Sequence, residues 1–211
     1  MTTETQTQSA AQDSGTKKNR KLKIKCAPTL EWISSTKPYD IGATMAFDED
    51  DKDTEPSMPG VVSTDGDIDI SDLPANDDYN DNIDITFKLE TGGILGPDGK
   101  KIKGKVRWAY ATEGAYTYEG ESGDTGYGWF CKLNDNPPPA YDKLPPQTIE
   151  GMSFVRNGDG SIEIKDDTPD GTPGFGYCVG FVLEDYDNYY ISIDPRVSSK
   201  GVLNANFMLK S

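Results

Sequence analysis

The sequence predicts an all-β protein built as an antiparallel β-sandwich. Three observations carry that expectation. Apolar residues recur at every second position in several short stretches, the period of a strand with one buried face. No stretch sustains a 3.6-residue apolar stripe, so amphipathic helices are not expected. Gly and Pro number 22 and 14 among 211 residues, above average usage, and they fall between the alternating runs, where turns belong.

Residues 1 to about 20, MTTETQTQSAAQDSGTKKNR, mix Thr, Gln, Ser and charge without apolar period and read as a flexible polar tail. They lack the basic start and apolar core of a secretion signal. One domain is expected over 21–211. Its first strand is KLKIKCA, with Leu22, Ile24 and Cys26 on one face and Lys21, Lys23 and Lys25 on the other. LEWIS (Leu30 to Ser34) and IGATMAF (Ile41 to Phe47) are weaker candidates on either side of Lys37-Pro38. From Asp48 to about Asn82 the alternation stops, and acids, prolines and asparagines take over. This stretch reads as a long acidic insertion, with Val61-Val62 and Ile68 to Ile70 as its only strand-like runs.

Alternation returns in IDITFKL (Ile83, Ile85, Phe87, Leu89) and in KIKGKVRWAY, where Ile102, Val106, Trp108 and Tyr110 share one side. The GPDGK turn between them predicts that the two pair as a hairpin. GWFCKL places Trp129, Cys131 and Leu133 on one face, and NDNPPPAYDKLPP then ends regular structure. TIEGMSFV and SIEIK flank NGDG (Asn157 to Gly160), a second hairpin signal. In FGYCVGFVLE the residues Phe175, Tyr177, Val179, Phe181 and Leu183 form one face. Gly176, Cys178 and Gly180 form the other, small enough for a further layer to approach closely. DYDN leads into YYISIDP, and VLNANFMLK supplies a last candidate strand.

A buried-tryptophan candidate in KVRWAY followed late in the chain by DGTPGFGYC (Asp170 to Cys178) resembles the arrangement of immunoglobulin-like domains over roughly residues 83–197. The likeness is one of architecture. Tyr177 and Cys178 are adjacent rather than two apart, and no cysteine occupies the expected partner strand. What it implies is a sandwich of that kind, and no function.

Charge excludes some partners. With 36 acidic against 21 basic residues the net charge is −15, so nucleic acid and anionic membrane surfaces are unfavourable partners. No apolar run approaches the ~18 residues of a membrane-spanning helix. The three cysteines, Cys26, Cys131 and Cys178, are far apart with no C-x-x-C pair. Each sits in an apolar alternation, as buried reduced thiols do. A cytoplasmic location is the expectation. Histidine is absent, which removes the commonest general base and the Ser–His and Cys–His pairs, and no phosphate or dinucleotide loop is present. The chain is expected not to be an enzyme.

Two groups of residues suggest sites. TDGDIDISD sets Asp65, Asp67 and Asp69 two apart, with Asp72 close behind. An EF-hand loop starting at Asp65 would need Gly where Ile70 stands and an acid where Asn76 stands. A looser Ca2+ site over these four aspartates remains, relieving the mutual repulsion of an acidic stretch that holds Lys52 as its one basic residue. NGDGSIE, with Asn157, Asp159 and Ser161 at alternate positions, and DDTPDG are better explained as turns. The second group is aromatic. Tyr116, Tyr118, Tyr127 and Trp129 lie among glycines in AYTYEGESGDTGYGWF, a pattern that presents rings to a flat ligand such as a glycan.

The function expected is a non-catalytic binding or structural module working through protein–protein contacts. Copies would assemble head to tail as the lysine strand of one meets the acidic stretch of the next. The alternative is a calcium-assisted, lectin-like carbohydrate binder. A carboxylate-based glycoside hydrolase is the third reading, since two acids suffice for that chemistry.

Overall fold

The computed structural model describes residues 17–34, 36–37, 40–90, 94–95, 101–102, 104–113, 126–132, 149–168, 175–193 and 196–198. Within them every regular element is a strand: β1 (Lys18–Ser34), β2 (Asp40–Glu49), β3 (Ile68–Asp69), β4 (Tyr79–Leu89), β5 (Ile94–Leu95), β6 (Lys101–Ile102), β7 (Val106–Trp108), β8 (Gly128–Lys132), β9 (Met152–Arg156), β10 (Ser161–Asp166), β11 (Phe175–Leu183), β12 (Tyr189–Ile193) and β13 (Arg196–Ser198). One sheet runs β6-β5-β1-β4-β10-β9, with β2 on the other edge of β1. The second runs β12-β11-β13-β3, with β7 and β8 also on β11. The sheets do not close into a barrel. They share one core, in which Phe87 of β4 meets Tyr177 of β11 at a centroid distance of 5.2 Å. No helix of the described residues is long and apolar enough to cross a membrane.

β1 is longer than its two sequence signals, because KLKIKCA and LEWIS form one continuous strand through Pro28. The proline costs no ladder bond. Phe47 N turns away from β1 to Thr64 O at 3.0 Å, which fixes the register so that the nitrogen of Pro28, opposite Met45, faces away from β2. On that other side Pro28 falls between the last β4 partner, at Cys26, and the β5 partner, at Thr29, where no amide is required.

Pairing is not antiparallel throughout. β1 and β4 run parallel from Lys18↔Tyr79 to Cys26↔Leu89, and β13 runs parallel to β3. A parallel neighbour needs a crossover of a dozen or more residues, and the acidic insertion between β2 and β4 supplies it. The hairpin expected between IDITFKL and KIKGKVRWAY does not form. β4 pairs with β1 and β10, whereas β7 crosses to the second sheet and pairs with β11. The GPDGK stretch, 96–100, lies outside the described residues, and the strands on either side of it, β5 and β6, pair with each other. The hairpin over NGDG is present, closed by Asn157 N donating to Ser161 O at 2.9 Å. At the β11–β12 turn Asp187 and Asn188 both take the left-handed conformation, with φ of 57° and 56°, the backbone that a tight hairpin turn demands.

The acidic insertion is part of the core rather than a break in it. Met58, Val61, Ile68 and Ile70 are buried. Ile68 bridges to Val62 and pairs with Val197 of β13, and the Tyr177 hydroxyl donates to Gly66 O at 2.7 Å. Residues 61–70 thus close one side of the two-sheet stack, touching β2 of one sheet through Thr64 and β13 of the other through Ile68. Ile68→Ala should therefore cost roughly 2–5 kcal/mol in chemical denaturation, while Asp65→Asn at the exposed turn should stay within about 0.5 kcal/mol. Equal effects of the two would contradict this packing.

The insertion also meets the lysine strand of its own chain. Lys23 pairs with Asp53, Lys25 with Asp50 at 3.4 Å, and Arg20 lies 4.0 Å from Asp81. The charges invoked for head-to-tail attraction between copies are in part already matched within one copy.

Candidate binding surface

β11 is buried on both faces along its whole length, which a strand in a two-layer protein achieves only if something covers its outer face. Glycines make that cover fit. A Cβ on Gly180 would lie 2.1 Å from Gly126 O and 2.5 Å from the Tyr190 hydroxyl oxygen. Tyr190 reaches across from β12 and donates to Gly126 O at 2.9 Å, while Gly180 N donates to Tyr127 O and Gly180 O accepts from Ala109 N, both at 3.0 Å. Gly126 is itself pressed on the 110–113 turn, where a Cβ would fall 1.8 Å from Glu113 O. Gly180→Ala should cost about 1–3 kcal/mol by overpacking, read as a lower denaturation midpoint. An unchanged midpoint would mean that this contact is loose.

Beside this glycine floor stands a group of charges that the alternation in sequence hides. Arg107 occupies the middle of β7 between buried Val106 and Trp108 and is itself buried. Its guanidinium grips Glu113 with two bonds of 2.7 Å and donates from Nε to Glu184 Oε1 at 2.8 Å. Glu113 in turn accepts from the Tyr110 amide at 2.8 Å, so one carboxylate ties the 110–113 turn to the strand. The Arg107 bonds hold the Glu113 carboxyl below the usual carboxylate range, against the opposing pull of burial.

Tyr110 is the exposed member of the group. The sequence placed it on the buried side with Val106 and Trp108. β7, however, ends at Trp108, and Tyr110 is 45% exposed. Its ring is held by two cations, with the guanidinium carbons of Arg107 and Arg156 at 4.1 and 4.4 Å from the centroid. Arg156, the last residue of β9, is fixed by donating to Ala109 O at 3.1 Å, to Trp108 O at 3.3 Å and to Asp159. A surface ring clamped in this way has little rotamer freedom left to lose on contact.

The aromatic group from the sequence is only partly described. Tyr116 and Tyr118 lie outside the described residues. Tyr127 is half-buried, with its hydroxyl donating to Phe154 O at 3.4 Å and burial pushing its phenol up. Trp129 is half-buried on β8 opposite Cys178, on the same outer face as Gly180. Tyr110, Arg107, Arg156, Glu113 and Glu184 were not legible as a site. Their only sequence signal is a charged residue inside the apolar strand VRW.

The four aspartates are placed but not gathered. Asp65 sits in the exposed turn 63–66, closed by Gly66 N donating to Ser63 O at 3.0 Å. Asp67 and Asp69 alternate with buried Gly66, Ile68 and Ile70. The Asp69 carboxylate accepts from both the amide and the hydroxyl of Ser71, and Asp72 lies in the next turn. Among the described residues no three His, Cys, Asp or Glu side chains are arranged to hold a metal ion. Cys26 and Cys178 are buried.

No protein-family model, curated protein or solved structure matches the chain.

Proposed function

We propose that this chain is a non-catalytic binding module that makes protein–protein contacts through the surface around Tyr110, with self-assembly as the form to test first. The observation that carries this reading is the exposed Tyr110 ring clamped by Arg107 and Arg156. Tyr and Arg dominate the energetics of protein interfaces, and rigid aromatic side chains lose least on binding. Support for a non-catalytic role comes from the absence of histidine and from Glu113 and Glu184 both being committed to Arg107. Sedimentation across protein and salt concentration tests the reading, with wild type gaining mass and Tyr110→Ser remaining monomeric. A wild type that stays monomeric throughout, and captures no protein when a photoreactive residue replaces Tyr110, would overturn it.

A carbohydrate ligand is the second reading. It is favoured by the half-buried rings of Tyr190 and Trp129, which stand opposite Val182 and Cys178 on the outer face of the strands flanking β11, the kind of ring that stacks on a sugar. A glycan array that is blank with and without calcium, with unchanged tryptophan fluorescence, would remove it.

The finer fold assignment we propose is immunoglobulin-like. In its favour, β4-β10-β9 in one sheet and β12-β11 with β7 in the other follow the B-E-D and G-F-C orders of that fold. The parallel β1 and the Tyr177 bond to distant Gly66, in place of a local corner, are departures from it. A cytoplasmic location is proposed with it, on the support of the odd number of cysteines and the absence of a C-x-x-C pair.

A further inference from the structure

We propose that Asn157 is a covalent modification site, which deamidates through a succinimide before any other asparagine of the chain. Asn157-Gly158 is the one Asn-Gly step in the sequence, and it forms the exposed turn between β9 and β10. Ring closure needs the Gly158 nitrogen to reach Asn157 Cγ, and three features leave that approach open. Gly158 has φ of +108°, a backbone that glycine alone adopts readily. The space where a Cβ would stand is empty to 4 Å. Among the described residues the Gly158 amide donates no hydrogen bond. Among the described residues the Asn157 side chain is restrained by Nδ2 donating to Glu163 Oε2 at 3.1 Å in an exposed setting, a weak tether. Each other described asparagine precedes a residue with a side chain: Asn19, Asn76, Asn80, Asn82 and Asn188 are followed by Arg20, Asp77, Asp81, Ile83 and Tyr189.

The chemistry consumes only water. Base removes the Gly158 amide proton, the nitrogen bonds to Asn157 Cγ, and the Cγ–Nδ2 bond breaks as Nδ2 takes a proton from water and leaves as ammonia. Water then opens the ring at either carbonyl, giving aspartate or isoaspartate, with no electron exchanged. The isoaspartate product reroutes the main chain through the side-chain carbon at a turn that joins the two sheets. Asp159 O accepts from Trp108 N at 2.8 Å and Gly160 O from Leu89 N at 2.9 Å, and the preceding residue is Arg156 of the Tyr110 clamp. The covalent step stands independently of the proposed binding role; only its consequence for Tyr110 contacts rests on that reading.

The test is incubation of the intact chain at mildly alkaline pH below its unfolding temperature, followed by peptide mass mapping and isoaspartyl methyltransferase labelling. The expected result is conversion of the Asn157 peptide, in part to isoaspartate, while the other asparagine peptides remain amides. Asn157→Gln should abolish the methyltransferase signal of the peptide that holds residue 157, and Gly158→Ala should slow conversion there. Conversion of another asparagine first, equal rates at all of them, or a product free of isoaspartate would overturn the proposal. Sedimentation of the converted protein then reads the Tyr110 consequence separately.

Discussion

Trp108→Ala should lower the unfolding free energy by about 3–5 kcal/mol, the range for emptying the site of a large buried aromatic. Trp108 is fully buried and stands opposite Phe181 across the β7–β11 pairing, while its amide donates to Asp159 O. Its loss opens a void where β7 and the β9–β10 turn of the other sheet meet. Trp108→Phe is the informative control. The indole Nε1 is buried and makes no hydrogen bond among the described residues, so phenylalanine leaves a smaller void and removes a donor whose unpaired burial costs about 1–3 kcal/mol. The expected order in urea is wild type close to Phe, with Ala far below. An alanine variant within about 1 kcal/mol of wild type would mean that the ring is not part of the packed core.

Arg107→Met should cost about 3 kcal/mol, near the lower end for breaking a buried charge pair. The guanidinium has 6% side-chain exposure, but Glu113 and Glu184 have 25% and 35%, so the orphaned carboxylates can partly turn to water. The same network carries a pH dependence with a definite sign. Arg107 depresses the folded-state value of Glu113. The stabilisation is therefore complete above the unfolded carboxylate value of about 4.3 and is lost as pH falls through the lower folded value. Acid denaturation should show this as a loss of stability on the acid side, which Glu113→Gln diminishes. If wild type and Glu113→Gln keep a constant stability difference from neutral to strongly acidic pH, the carboxylate is not held by Arg107 in solution.

Strand identity was legible because it is local. Leu22, Ile24 and Cys26, or Ile83, Ile85, Phe87 and Leu89, alternate with polar neighbours, and all are buried as that pattern requires. The paired turn glycines of NGDG likewise marked a hairpin that is present. Within the acidic stretch the strand-like run at Ile68 was legible and forms β3, but its burial in the core was not, because the composition outweighs the pattern. Asp67, Asp69 and their neighbours hide the period of Gly66, Ile68 and Ile70, three buried positions two apart. Those residues reach the core through distant partners, since β13, more than a hundred residues later, pairs with Ile68 and the Tyr177 hydroxyl donates to Gly66 O.

The candidate surface was the least legible part, for a related reason. Arg107 is read from sequence as an outward strand position, and it is one, on the side opposite Val106 and Trp108. Its burial comes from Glu113, Glu184 and Tyr110 closing over it, and from Gly126 and Gly180 letting the 110–113 turn settle onto β11. Tyr110 is exposed because β7 stops two residues before it.

The sequence by itself determined that this chain is all-β and which residues of most strands face the core, since a period of two needs only neighbours to be expressed. The tertiary structure decided which strands pair, that β1 and β4 run parallel, that the acidic insertion seals the stack, and that two arginines converge on one tyrosine. Those outcomes depend on contacts between residues far apart in the chain, whose geometry no local pattern encodes.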